Sequence, residues 1–200
     1  MNKIVTIARE FGSGGRELGR RLAEVLGFDY YDKEILTEIA KKTSLSEEYV
    51  KQVVECRPHG LYPITVGHSF AMGYNAGFNQ AQAVYAAQSE IIGELATKSD
   101  CVIIGRCADY ILKEYNPLRI FVYADAQSKI SRCQERNEGE PLTDRQVERQ
   151  MKSIDKMRAS YYAFYTGLTW GAKENYDMLI NTSGKDIKTL ASNLADFVHK

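Results

Sequence analysis

Net charge is the first thing this chain lacks. Its 200 residues hold 26 Lys and Arg against 26 Asp and Glu. Bulk electrostatics therefore gives no drive toward nucleic acid or an anionic membrane surface. The chain also lacks any apolar run near the ~18 residues of a spanning helix. Its first residues enter a strand pattern without the layout of a secretory signal. No nucleic-acid or membrane partner is expected, and a cytoplasmic location is. Cys56, Cys101, Cys107 and Cys133 lack metal-ligand spacing and read as free thiols of a reducing compartment. His59, His68 and His199 are scattered, so no metal site and no histidine catalysis is expected. Internal repeats, low-complexity tracts and a second domain are all missing. A hydrophobic fraction of 44% in 200 residues suits one globular domain with a sizeable core.

What is present begins near the N-terminus. Residues 4–8 form a short apolar run that reads as a buried strand. Glycines 12, 14 and 15 follow, then a helical pattern with Leu18, Leu22 and Leu26 on one face. Strand, glycine loop and helix in that order make an anion cradle: backbone N–H groups turn inward and the helix dipole adds to them. The loop departs from the Gly-x4-Gly-Lys-Ser/Thr phosphate loop. Glu10 falls at the first glycine, Arg16 at the lysine and Glu17 at the magnesium-binding hydroxyl. Arginine forks onto phosphate oxygens more rigidly than lysine. Glu17 repels phosphate unless a metal or an arginine stands between them, or else it merely complements the helix dipole.

The remaining pattern alternates strands and helices. A second strand over 28–32 ends at Asp32, and helices are expected over 33–42, 46–54 and 80–97. The unbroken apolar run 101–104, closed by Gly105-Arg106, reads as a central parallel strand. Ligands bind beyond the carboxyl ends of such strands, which puts Arg106 beside the glycine loop. Strand 118–123, a helix capped by Asp125, a polar link at 137–141 and a long charged helix opened by Thr143 follow. Residues 137–158 are expected to form a lid carrying Arg145, Arg149, Lys152, Lys156 and Arg158, or a solvated charged face. On that helix Asp155 and Arg158 share a face. A fifth strand at 176–181 and a helix at 187–198 complete the chain. Between 57 and 85, glycines alternate with aromatics. This stretch is a flap over a ligand, a face packed on a second subunit in a homodimer, or a connection buried on its own domain.

These residues resemble the cytidylate kinase-like proteins, relatives of the nucleoside monophosphate kinases. The resemblance rests on residues 8–17, on Tyr30-Tyr31-Asp32-Lys33-Glu34-Ile35, on 102–109, and on Tyr161-Tyr162 with Tyr165-Thr166-Gly167 and Trp170. It implies a three-layer α/β sandwich around a five-stranded parallel sheet of order 2-3-1-4-5. It also implies ATP and Mg²⁺ as cofactors and a small nucleotide as substrate, CMP or dCMP first. Cys107 stands where an aspartate would follow Gly-Arg, and Met151-Lys152 where an Arg-Asp pair would stand.

On that resemblance, Gly12, Ser13, Gly14, Gly15 and Arg16 cradle the donor phosphates, with Arg16 in the lysine's place. Arg106 holds the acceptor phosphate and Asp155 the acceptor's sugar; Asp109 lies close by. Arg158, with Arg149 or Arg145, stabilises transition-state charge. Asp32 and Glu17 are the carboxylates nearest the magnesium. Two further readings stay open: a binding protein of the same fold without turnover, and a kinase for a non-nucleotide acceptor.

Overall fold

The computed structural model describes residues 2–55, 76–136 and 142–199. Most of the 57–85 stretch and the 137–141 link lie outside them. The elements in chain order begin with β1 (Ile4–Arg9), α1 (Gly15–Leu26), β2 (Asp29–Tyr31), α2 (Glu34–Thr43), α3 (Glu47–Glu55) and α4 (Ala76–Lys98). They continue with β3 (Cys101–Ile104), α5 (Ala108–Ile111), β4 (Leu118–Tyr123), α6 (Ala126–Glu135), α7 (Asp144–Thr166), β5 (Met178–Asn181) and α8 (Ile187–His199). The last part of the 57–85 stretch is thus the first turns of α4, earlier than the expected start at 80.

The five strands are parallel and ordered β2-β3-β1-β4-β5. Side-chain alternation along the strands explains the three layers. Val5, Ile7, Val102, Ile104, Ile120 and Val122 face α1 and α8, where Leu18, Leu22, Ile187 and Leu194 meet them. Ile4, Cys101 and Ile103 face the other way, into a core with Ile35, Ile39, Val84, Ile92 and Tyr161. Both faces are covered, so β1 and β3 are apolar almost throughout. Cys101, Cys107 and Cys133 are free thiols. Burial pushes the Cys101 thiol up to about 12, which suits a packing role. No helix among the described residues is long and apolar enough to cross a membrane.

The chain crosses from one side of β1 to the other between β3 and β4, so the carboxyl ends of β1 and β3 open onto one crevice. Close approach of α1 to that sheet depends on Gly19. A Cβ there would overlap Ile104 Cδ1 and lie 3.1 Å from Ile7 Cδ1. Both obstacles are ends of flexible side chains, and alanine recovers about 1 kcal/mol of helix propensity. Overpacking costs ~1–3 kcal/mol, so Gly19→Ala is expected to destabilise by ~1–2 kcal/mol. Urea unfolding with an unchanged m-value checks this.

Candidate functional site

The loop between β1 and α1 is pinned from within. Glu10 N–H donates to Val122 O at 3.0 Å, continuing the ladder one residue past β1. Ser13 is fully buried, and its hydroxyl donates to Glu10 O at 2.8 Å. Ser13 Oγ in turn accepts Gly15 N–H at 3.4 Å. Ser13 therefore braces the turn with its side chain, and any role in binding an anion falls to its main chain. From below, Thr182 Oγ1 donates to Ser13 O at 2.6 Å. Arg132 on α6 donates to Thr182 O at 2.6 Å and to Ser13 O at 3.4 Å. Gly12 and Gly14 take the left-handed backbone (φ 76° and 81°) that lets the loop fold back on itself. Gly15 packs so close to β1 that a Cβ would lie 2.6 Å from Arg9 Cβ.

The braced loop borders a cleft of about 800 Å³. Six arginines line it: Arg9, Arg16, Arg106, Arg132, Arg136 and Arg158. They come from β1, α1, the turn after β3, α6 and its C-terminus, and α7. Lys33 and Lys51 add to them on the α2–α3 wall, against Glu10, Glu47 and Glu48. Such a surplus of cations over carboxylates in a concave site attracts polyanions. Arg9 is largely enclosed, with 13% of its side chain exposed. Burial, with repulsion from Arg158 and Arg106, pulls its guanidinium down to about 9; Asp32 opposes the shift.

The carboxylates nearest the loop are already engaged. Glu10 accepts from Lys129 Nζ at 2.9 Å. Glu17, expected at the cradle, turns away: it accepts from Arg21 at 2.9 Å and Arg136 at 2.6 Å. Burial alone would raise the Glu17 carboxyl, but those two arginines outweigh it and hold it low. Arginines thus stand against Glu17 from α1 itself and from the residue just past α6. Asp32 is buried and pairs with Arg16 Nε at 2.6 Å. Among the described residues no cluster of three metal-ligating side chains occurs. Asp32 nonetheless fits a hard cation, because its Oδ1 is buried and has no hydrogen-bond partner.

On the opposite wall α7 presents Gln150, Ile154 and Arg158, a stripe of i, i+4 spacing. Arg145, Arg149, Lys152 and Lys156 are exposed and outside that lining. Arg145 and Arg149, expected to act with Arg158, thus do not line the cleft beside it, whereas Arg132 and Arg136 of the α6 region do. Asp155 accepts Phe11 N–H at 2.7 Å and Arg158 Nη1 at 3.4 Å. It ties α7 to the glycine loop, which leaves an acceptor's sugar a less direct contact than expected. Asp109 is buried behind the turn after β3 and accepts the Tyr162 hydroxyl at 2.6 Å, away from the large cleft. Arg16 and Arg106 lie where expected, on the cleft. Arg9, Arg132 and Arg136 were not expected as site residues. The signal for Arg9 was a charge at the end of an otherwise buried strand.

A family model described as the cytidylate kinase-like family matches residues 4–184. No curated protein matches the chain significantly. Among solved structures, an uncharacterized protein from Eubacterium ventriosum ATCC 27560 is 28% identical with a TM-score of 0.73, covering 100% of this chain and 99% of its own. A shikimate kinase from Acinetobacter baumannii in complex with shikimate is 17% identical with a TM-score of 0.54, covering 100% and 94%. A shikimate kinase from Bacteroides thetaiotaomicron is 13% identical with a TM-score of 0.57, covering 99% of each chain. The two shikimate kinases share the fold, the parallel sheet and helices of the phosphate-loop kinases.

Proposed function

We propose that this chain, which belongs to the cytidylate kinase-like family, transfers the γ-phosphoryl group of ATP to a small acceptor, with CMP or dCMP the leading candidate. The observation that carries this is the cleft itself: six arginines converge on one glycine loop at the carboxyl ends of β1 and β3. Phosphoryl transfer asks a protein chiefly for positioning and charge neutralisation, and this cleft offers both.

In this reading the N–H groups of the loop and the start of α1 hold the donor phosphates, with Arg16 beside them. Arg106, carried by the turn after β3, holds the acceptor. Arg158 of α7 and Arg136 at the end of α6 both line the cleft and meet the charge that develops between donor and acceptor. Asp155 orients both Phe11 and Arg158. A Mg²⁺ ion would be held by Asp32 and by phosphate oxygens, and would supply neutralisation of donor charge. A phosphate acceptor is already an anion, so no general base is required. One observation favours a binding protein without turnover: Arg16 Nε is held by Asp32 at 2.6 Å.

Turnover separates the two. With ATP and Mg²⁺, a panel of nucleoside monophosphates, shikimate and simple sugars is expected to give ADP release with CMP or dCMP and not with the others. ATP at a hundredfold excess over its dissociation constant should stabilise the fold by roughly 2.7 kcal/mol. Binding of ATP and CMP with no ADP release from any acceptor would establish the binding protein. No binding of any nucleotide would overturn both.

A further inference from the structure

We propose that Arg9 reads the charge of the acceptor: with Arg106 and Arg158 it closes a recess that takes a doubly charged phosphoryl group and rejects a singly charged one. This rests on the phosphoryl-transfer reading above and extends it to a residue that reading leaves without a role.

The recess, about 50 Å³, lies where the three arginines meet, beside Gly105, Tyr161 and Trp170. Each guanidinium arrives on a separately fixed element. Arg158 Nη1 donates to Arg9 O at 3.1 Å, which ties α7 to the end of β1. Arg9 Nη1 lies directly over Gly105, so close that any Cβ there would collide with it. The turn carrying Arg106 is left-handed at three successive residues, Gly105, Arg106 and Cys107, with φ of 68°, 60° and 53°. Two of these are not glycine, and such strain persists only where its surroundings impose it. Part of that imposition is visible: fully buried Gln88 donates to Arg106 O at 2.9 Å.

The nearby carboxylates are shared with other donors. Asp32 is the one carboxylate within 4.0 Å of the Arg9 guanidinium among the described residues, and it sits at 2.6 Å from Arg16. Asp155 is shared between Phe11 N–H and Arg158, and Asp109, which also lines the recess, accepts the Tyr162 hydroxyl. Arg9 is therefore an enclosed cation whose charge its neighbours oppose, in keeping with its lowered basicity. A phosphomonoester brings two charges and three terminal oxygens to three guanidiniums. A phosphodiester or a carboxylate brings one charge and two oxygens.

The test is calorimetric binding at pH 8 to the full chain, with CMP, the methyl ester of CMP and inorganic phosphate as probes. CMP is expected to bind about 10- to 100-fold more tightly than its methyl ester, the worth of one charge-assisted contact. Inorganic phosphate should compete with CMP. Arg9→Gln should weaken CMP about 10-fold or more while changing the methyl ester and ATP less than about threefold, and Arg9→Lys should recover part of the loss. Loss of the gap between CMP and its ester in Arg9→Gln is a change that mere misfolding would not give. The proposal is overturned if the wild-type chain binds CMP and its ester alike, if none of the probes binds, or if Arg9→Gln weakens ATP as much as CMP. Should that variant not fold, the wild-type ratio decides alone. An Arg9-dependent phosphate site without ADP release would leave the inference standing and remove the kinase reading.

Discussion

Gly15→Ala is expected to remove ATP binding and to destabilise the protein by ~2–4 kcal/mol, more than any other glycine substitution in the loop region. The added Cβ would lie 2.6 Å from Arg9 Cβ and 3.1 Å from Val122 Cβ. Neither carbon is the free end of a side chain; both are fixed by adjacent central strands. Relief must come from moving the start of α1 away from β1, and overpacking of that kind costs ~1–3 kcal/mol before any loss of contacts below it. The first turn of α1 is also the anion cradle, so the same movement takes its N–H groups out of position. Gly27→Ala is the control. Nothing lies within 4 Å of its Cβ, and only the left-handed φ of 69° opposes the change. It should cost ~1 kcal/mol and leave ATP affinity unchanged. Thermal unfolding and ATP titration of both variants check the pair. Equal losses of binding would show that stability, not the approach of loop to strand, sets affinity.

The contrast between those glycines shows what a sequence can and cannot disclose about this site. Strand–glycine–helix order and unbroken apolar strands are local signals, and they led to a parallel sheet and to Arg106, while the strand order came from the family resemblance. Orientation is not local. Ser13 resembles a loop hydroxyl open to phosphate, yet its partners Glu10 O and Thr182 lie within and beneath the loop. Glu17 looked exposed to the cradle because, besides the local Arg21, its second countercharge, Arg136, is 119 residues away in sequence. On α7 every basic residue was a candidate until packing fixed which face meets the cleft. Once Val147 and Met151 are buried, the stripe Gln150–Ile154–Arg158 turns toward the cleft and Arg149, one residue off, turns to solvent. Arg9 was hidden for the opposite reason. It ends an apolar strand pattern, and its enclosure depends on a turn that arrives nearly a hundred residues later.

Asp155 carries the second large effect. Its carboxylate joins α7 to the glycine loop through Phe11 N–H at 2.7 Å and holds Arg158 at 3.4 Å. Asp155→Ala leaves that N–H without its acceptor, a cost of ~1–3 kcal/mol. It also releases the loop and Arg158 together, and a misplacement of about 1 Å can lower a rate about 10²-fold. The expected outcome is a fall in kcat/KM of about 10²- to 10³-fold, with ADP release as the readout. Asp155→Asn separates geometry from charge. Its amide oxygen still accepts Phe11 N–H, so stability should hold within ~1 kcal/mol, while Arg158 loses its countercharge and activity falls part of the way. Acid dependence gives an independent check. Burial raises the Asp155 carboxyl above its ordinary value, with Phe11 N–H and Arg158 opposing. The folded state therefore holds this proton more tightly than the unfolded one, and stability from this group declines as pH rises from the unfolded value of about 3.9 through the raised folded one. Relative to Asp155→Asn, the wild-type chain should gain stability on acidification across that window, and its activity should show an acid limb that the variant lacks. Matching pH profiles for the two would place the ionised carboxylate outside the working site and leave Asp155 as a cap for the loop.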